Sequence, residues 1–328
     1  MTFPVHRLRR LRRSEALRRM VRENNLTVDD LVCPMFVVHG SNVKKEIKSL
    51  PGNYHLSIDS LIEESKTVAD CGIPAILLFG IPDHKDEVGS AAYDPRGIVQ
   101  EAVRAIKSKV PDLIVITDVC LCEYTVHGHC GMLKGGYVDN DPTLELVAKI
   151  ALTHAEAGSD IVAPSCRMDG HVQRIRRALD EKGFQQTLIM SYAAKYASHL
   201  YSPFFKEAVR STLHFGDKRS HQLDYANGDE AIRQVSMDLA EGSDIVIVKP
   251  ALAYLDIAHR VKEKFGVPVA IYNVSGEYAM LHAAREKRFI NAEAVMLEFL
   301  ISFKRAGVDI IVTYAAKEAA KLSIRQKI

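Results

Sequence analysis

Eight short apolar runs rich in Val and Ile recur along the chain, and their recurrence constrains the fold more than any other feature. They read LVCPMFVV (31–38), AILLFG (75–80), LIVITDV (113–119), DIVAPS (160–165), LIMSY (188–192), DIVIVKP (244–250), VAIYNVSG (269–276) and DIIVTYA (309–315). None alternates apolar with polar residues, as a strand with one wet face does, so each predicts a strand buried on both faces of a parallel sheet. Segments of helical period lie between them. Residues 57–73 have Ser57 or Asp59 as a cap and Leu61, Ile62, Val68 and Ala69 as an inner face. Residues 142–160 start at Pro142 and stop at Gly158, and 228–244 and 292–309 repeat the formula. Three of these helices end in closely similar phrases, EAGSDIV, AEGSDIV and RAGVDII: a glycine stops the helix, an aspartate follows and a strand begins. Eight βα units with a repeated joint predict an α/β fold of the (β/α)8 barrel type over residues 31–328, with residues 1–30 outside the alternation as an N-terminal arm. A doubly wound open sheet is the other arrangement of such units. No GxGxxG follows the first strand, so a dinucleotide fold gains little support.

A barrel gathers its active groups at the C-terminal ends of its strands. Lys195 and Lys249 fall there on strands five and six, Cys120 after strand three, Ser165 on strand four, Ser275 on strand seven and Tyr314 on strand eight. An apolar strand ending in lysine is costly unless the ammonium is used, because removing a charge from water costs several kcal/mol. Burial lowers the pKa of a lysine, and a second ammonium nearby lowers it further. Neighbouring strands lie about 5 Å apart, so the two amines predict one pocket in which a neutral amine condenses with a ketone as a Schiff base. The plainer alternative has each lysine reaching past its strand into water.

The chain has 328 residues, is 47% hydrophobic and 26% charged, and carries a formal charge of +2, which gives no global drive towards nucleic acid or membrane. No apolar run approaches the ~20 residues of a membrane span, and the N-terminus lacks the apolar core of a secretory signal. These features predict a cytoplasmic protein, in which the six cysteines are unlinked thiols rather than disulfides. Cys120, Cys122 and Cys130 stand in DVCLCEYTVHGHCG with His127 and His129. Three thiolates can hold zinc at about 2.3 Å each and leave the fourth position open for catalysis. A closed Cys3His structural site and unliganded thiols are the competing readings. The arginine-rich opening, HRLRRLRRSEALRRMVREN, has no interleaved aromatics. It predicts a solvated helix, or an arm gripping another subunit, before a nucleic-acid patch.

TDVCLCEYTVHGHCG, MDGHVQRIRRALD, SYAAKYAS, GDKRSHQLD, VKPALAYLDI, YNVSGEYAM and KRAGVDIIVTY together resemble the porphobilinogen synthase (5-aminolevulinate dehydratase) family, and the likeness runs over nearly the whole chain. The resemblance implies a (β/α)8 barrel with an N-terminal arm, assembled as a homo-octamer. It implies condensation of two molecules of 5-aminolevulinate to porphobilinogen with loss of two waters, in tetrapyrrole synthesis. By motif, Lys249 forms a Schiff base with the first substrate and Lys195 forms or assists the imine at the second. Cys120, Cys122 and Cys130 hold a catalytic zinc, and Asp118 and Ser165 help move protons. Ser275 and Tyr314 bind the first carboxylate. Lys218 and Gln222 bind the second from a lid at about 197–226.

Several positions depart from that family's pattern. Phe205 and Ser202 stand in the lid where an arginine and a glycine are usual, and Lys206 beside Phe205 is a candidate replacement point charge. His221 replaces a tyrosine, and Cys166 and Arg167 replace small or apolar residues. Gln234 replaces the glutamate of magnesium-activated members, which weakens the case for magnesium. Two other functions fit the same residues less fully: a single-lysine aldolase-type lyase, which needs no cysteine cluster, and a weakened relative serving as a binding or scaffold subunit.

Overall fold

The computed structural model describes residues 2–201 and 204–325; for 204, 205 and 323–325 it describes the backbone alone. Eight parallel strands, β1 (Leu31–Val38), β2 (Ala75–Ile81), β3 (Ile114–Val119), β4 (Ile161–Pro164), β5 (Leu188–Lys195), β6 (Ile245–Lys249), β7 (Val269–Asn273) and β8 (Ile310–Thr313), pair in sequence order. β8 closes onto β1 through Leu31↔Ile311 and Val32↔Val312, so the sheet is a barrel and not an open doubly wound sheet. Beyond that pairing the short β8 leaves the upper part of β1 free. A strand at Tyr54–Leu56 takes the place through Phe36↔His55 and carries Lys44–Glu46 antiparallel on its far side. The absence of alternation in the sequence has its cause here, because β1, β2, β6 and β7 are buried at every residue.

The repeated joint between helix and strand has a common geometry. Gly158, Gly242 and Gly307 have φ of 103°, 105° and 91°, a region open to glycine but strained for other residues. The aspartate that follows each is bonded twice to the preceding barrel strand. Asp160, Asp244 and Asp309 donate their N–H to the carbonyls of Val115, Ile189 and Val269. Their carboxylates accept from the N–H of the same three residues, each at 2.8 Å. Lys107 and Lys262 then pair with Asp160 and Asp309. The phrase therefore locks the bottom of one strand to its neighbour and leaves the opposite end free for chemistry.

The helices follow their expected spans with small shifts. Ile58–Asp70 begins after Ser57, whose hydroxyl bonds Asp59 rather than capping the helix backbone. Asn140–Ala157 begins two residues before Pro142, leaving the proline in the first turn, where no N–H is needed. Asp229–Ala240 and Ala292–Arg305 complete the set. One larger difference concerns the strands. β5 runs to Lys195, in keeping with the placing of that lysine at its end, but Ser275 is not on β7 and opens the helix Ser275–Glu286. Near the N-terminus, Leu8–Arg12 and Glu15–Met20 form two short helical pieces without a buried residue, and Phe3 and Leu8 are more than 70% exposed (73% and 76%). Among the described residues, no helix is long and apolar enough to cross a membrane.

Candidate active site

Lys195 ends β5 and Lys249 ends β6, and the two are register partners. Their approach depends on an irregularity. Val246 pairs with Ser191 but Val248 pairs with Ala194, so Ile247 alone opposes both Tyr192 and Ala193. On a regular strand Tyr192 and Lys195, three apart, would face opposite ways. With the extra residue, the Lys195 ammonium instead lies 5.4 Å from the centre of the Tyr192 ring. Lys249 faces the same ring at 5.3 Å.

The two amines have different surroundings. Lys249 is 3% exposed and sits among aromatic faces, with Tyr272 at 4.1 Å and Tyr201 at 5.1 Å. Burial is the main influence on its pKa and lowers it, the Lys195 ammonium pushes the same way, and Asp118, Cys122 and Glu123 offset only part; the result is about 7. Lys195 is 6% exposed and donates to the Ser165 carbonyl at 2.5 Å. Burial pulls Lys195 down as well, but the charge of Cys130 and Cys120 outweighs it and keeps this lysine above its ordinary range. One strand pair thus holds a reactive amine beside a charged one.

Asp118, the penultimate residue of β3, lies beside them. Ser165, one residue past β4, donates to its carboxylate at 3.1 Å. Burial and then the Glu123 charge raise Asp118 to about 7, so its carboxyl can exchange a proton near neutrality. The hydroxyls of Tyr272 and Tyr314 are 3.1 Å apart. Ser275 is wholly buried and its hydroxyl has no protein hydrogen-bond partner, so it remains available to a ligand.

The loop after β3 brings Cys120, Cys122 and Cys130 together, all buried, with sulfurs within 4.8 Å of one another and 3.4 Å between Cys120 and Cys122. Thiolates sharing a tetrahedral zinc lie about 3.8 Å apart, so this soft donor set fits such an ion. Within the set, hydrogen bonds from Cys120 and Cys122 hold Cys130 well below the ordinary thiol range, while the hydrogen bonds with Cys122 and Cys130 raise Cys120 well above it. Neither histidine of the motif joins the sulfurs. His129 turns its Nε2 to the Phe215 carbonyl and its backbone N–H to Nδ1 of His127, whose Nε2 faces the Glu87 carbonyl. Cys166 stays outside the group too, as a buried neutral thiol pushed up to about 12 by desolvation.

A cavity of about 300 Å³ opens above the cysteines, lined by Cys122, Tyr201, Lys206, Lys218, Arg219 and Gln222. Its lysines and arginine suit a carboxylate. Burial lowers Lys218, but the neighbouring thiolates, Cys122 first, more than reverse this and hold it well above its usual value. Gln222 accepts from the Tyr201 hydroxyl at 2.7 Å and leaves its amide nitrogen without a protein partner. Tyr201 therefore touches the cavity on one side and Lys249 on the other. It is held by the segment before it: the Gly276 N–H donates to the Leu200 carbonyl at 2.6 Å, and a Cβ at Gly276 would run into that oxygen. Lys206 shares the cavity, whereas Ser202 and the side chain of Phe205 lie outside the described residues. His221, half-buried, is pulled down to about 3 by burial and then Lys218, and so is neutral. Gln234 is remote from the cavity lining and donates to Asp238 at 3.0 Å.

Several residues of the site carried no sequence signal of their own. Tyr192, Tyr201 and Tyr272 form the wall around Lys249, yet in sequence they are ordinary aromatics of strand and loop. Glu277 is buried and binds the N–H groups of Ala251, Leu252 and Val274, tying the turn after Lys249 to the end of β7. Glu123, also buried, lies against Cys122 at 3.3 Å.

Comparison with known proteins places these features in context. A family model described as "Delta-aminolevulinic acid dehydratase" matches residues 5–322. The chain is 57% identical to the delta-aminolevulinic acid dehydratase of Synechococcus elongatus over 323 residues, covering 97% of this chain and 99% of that one. It is 49% identical to the Bacillus subtilis protein of the same name over 321 residues, covering 98% and 99%. Among solved structures, the Toxoplasma gondii delta-aminolevulinic acid dehydratase (porphobilinogen synthase) in complex with its reaction product porphobilinogen superposes with a TM-score of 0.94 at 41% identity, covering 97% of this chain and 91% of that one.

Proposed function

The chain belongs to the delta-aminolevulinic acid dehydratase family, and on that premise we propose how its own residues carry the reaction. Its activity is that of a hydro-lyase, porphobilinogen synthase, which condenses 5-aminolevulinate to porphobilinogen in tetrapyrrole and haem synthesis. The observation that carries the reading of the residues is the register pair of Lys195 and Lys249, with Lys249 among three tyrosine rings.

Lys249, whose pKa burial and then Lys195 lower to about 7, adds as the neutral amine to the ketone carbon of the first substrate. The C–O bond breaks, oxygen leaves as water, and a C=N bond joins substrate to Nζ. The cationic form of that imine withdraws electrons and makes the adjacent carbon acidic. Asp118, with Ser165 hydrogen-bonded to it, takes and returns the proton. Lys195 adds its repulsion to the burial that disfavours the charged form of Lys249 and assists imine formation at the second substrate. Ser275 and Tyr314 bind the first carboxylate. Lys218 and Gln222 bind the second, with Lys206 as the point charge beside Phe205. Residues 197–226 serve as the lid over this pocket.

We read the metal of the Cys120, Cys122 and Cys130 group as zinc, which supplies Lewis acidity beside the second substrate when bound. Gln234 is read as a neutral donor to Asp238 and not as a magnesium ligand. Residues 1–30 are read as an arm whose exposed helical pieces, Leu8–Arg12 and Glu15–Met20, fit a second copy of the chain, in keeping with a homo-octamer, and the protein is read as cytoplasmic. The test is a colour assay for the pyrrole with purified protein and 5-aminolevulinate, after chelation and again after zinc is restored. Product that disappears and returns supports the assignment; product unaffected by removal of all metal overturns the zinc reading, and no product in either state overturns the roles given to the lysines.

A further inference from the structure

Arg167 lies outside the reacting groups, yet its burial and strain call for a reason. It is 4% exposed and its backbone is left-handed, at φ 64°. A buried ion pair such as that of Arg167 with Asp238, at 3.2 Å, is no more stabilising than well-packed apolar residues of similar volume. The neighbouring contacts supply the reason. β4 ends at Pro164, which has no N–H to give, and the register between β4 and β5 ends at Val162↔Ile189. Past that point residues 165–167 grip β5 by other means. The Ser165 carbonyl accepts from the Lys195 ammonium at 2.5 Å, and the Arg167 guanidinium donates to the Tyr192 carbonyl at 3.2 Å. These two contacts fall on Lys195 and Tyr192, the second at the Tyr192–Ala193 step in which β5 gains a residue relative to β6. The same Nη1 of Arg167 also donates to Asp238 of the helix Asp229–Ala240, and Asp238 is itself held by Gln234.

We propose that Arg167 is a positioning residue: by holding the Tyr192 carbonyl against the helix layer it fixes the irregular turn of β5 that aims Lys195 at Lys249. The inference rests on the two-lysine reading above. The arginine is neither among the residues that line the cavity nor part of the cysteine group. Its effect passes through the spacing of the amines and is felt in the chemical step rather than in substrate affinity.

The experiment compares the unmodified protein with Arg167→Met, each examined as folded, zinc-loaded enzyme, for kcat, half-saturating 5-aminolevulinate concentration and the rate of borohydride trapping per folded site. Arg167→Met is expected to lower kcat and the trapping rate together by about 10- to 100-fold, the cost of a displacement near 1 Å, with half-saturation moved by less than about twofold. Arg167→Met that keeps the unmodified kcat and trapping rate while losing only thermal stability overturns the proposal. If that variant does not fold, Arg167→Lys decides, because lysine, with a flexible stem and a rotating ammonium, does not fix a donor where the Nη1 of Arg167 serves both the Tyr192 carbonyl and Asp238: a lowered kcat at constant half-saturation supports it, and an unchanged kcat overturns it. Absence of any adduct on Lys249 in the unmodified protein is a separate result, and it strikes the Schiff-base reading instead.

Discussion

Lys195 and Lys249 are register partners at the ends of adjacent strands, but one ammonium is braced by a carbonyl beside thiolates while the other is enclosed by tyrosine faces. Electrostatics separates two like side chains into two roles: a cation and, next to it, an amine able to attack.

Activity should therefore rise with pH through about 7, because Lys249 must lose its proton before it attacks and its pKa lies there. Lys195→Met removes the repulsion that disfavours the charged form. The acid limb of kcat/KM is then expected to move to higher pH, as well as activity falling. A limb that stays in place would mean that burial alone sets the value.

The same depression has a cost in stability. The unfolded chain binds a proton at Lys249 up to about 10.5, the folded chain only up to about 7. Between those values the unfolded state carries more protons, so stability rises with pH across that window and the penalty is full below about 7. Lys249→Met is expected to abolish activity, raise stability at pH 7 by a few kcal/mol and flatten the rise. Denaturant unfolding at pH 7 and pH 10 measures this; a variant less stable than the parent at pH 7 contradicts it.

Cys130→Ala leaves two thiolates where three fit the ion. One equivalent of metal per chain should fall to well below one by elemental analysis, and kcat should drop by about a hundredfold or more. Full metal content in the variant would show that other ligands complete the site.

Gly276→Ala forces a methyl into the Leu200 carbonyl. Displacing that segment should cost about 1–3 kcal/mol and loosen Tyr201 over Lys249, lowering kcat. Thermal melts and steady-state rates would expose the opposite outcome, a tolerated methyl with parental kinetics.

Restoring the lid arginine, Phe205→Arg, should lower the half-saturating concentration of 5-aminolevulinate, since a guanidinium offers a carboxylate two parallel bonds. An unchanged curve would assign that task to Lys206 or a neighbouring cation of the cavity.

The barrel was legible because its determinants are local and repeated. Eight doubly buried runs and the Gly-x-Asp joint state the strand ends directly, and both lysines follow from strand order. The wall of the site was not legible, because it depends on tertiary placement. Tyr192 and Tyr272 become neighbours of Lys249 because β5 and β7 flank β6 in the sheet, and Tyr201 through a loop seated on Gly276. The continuation of β5 to Lys195 was read from the lysine and not from propensity: YAAK has no β-branched residue, and the strand is kept extended there by contacts from β6 and residue 167. Ser275 was assigned to β7 since VSG continues an apolar run, whereas Glu277 bonds the Val274 N–H and turns the chain into a helix. Arg167 stood out in sequence only as an unusual residue, with its partner Asp238 on a distant helix.

The most direct measurement is reduction with borohydride in the presence of 5-aminolevulinate, followed by peptide mapping of the adduct. Substrate mass fixed on Lys249, lost in Lys249→Met and with the initial trapping rate rising through pH 7, is the expected result. Active enzyme that yields no lysine adduct under turnover, or yields one only on surface lysines, would contradict the central claim that this enclosed amine is the nucleophile.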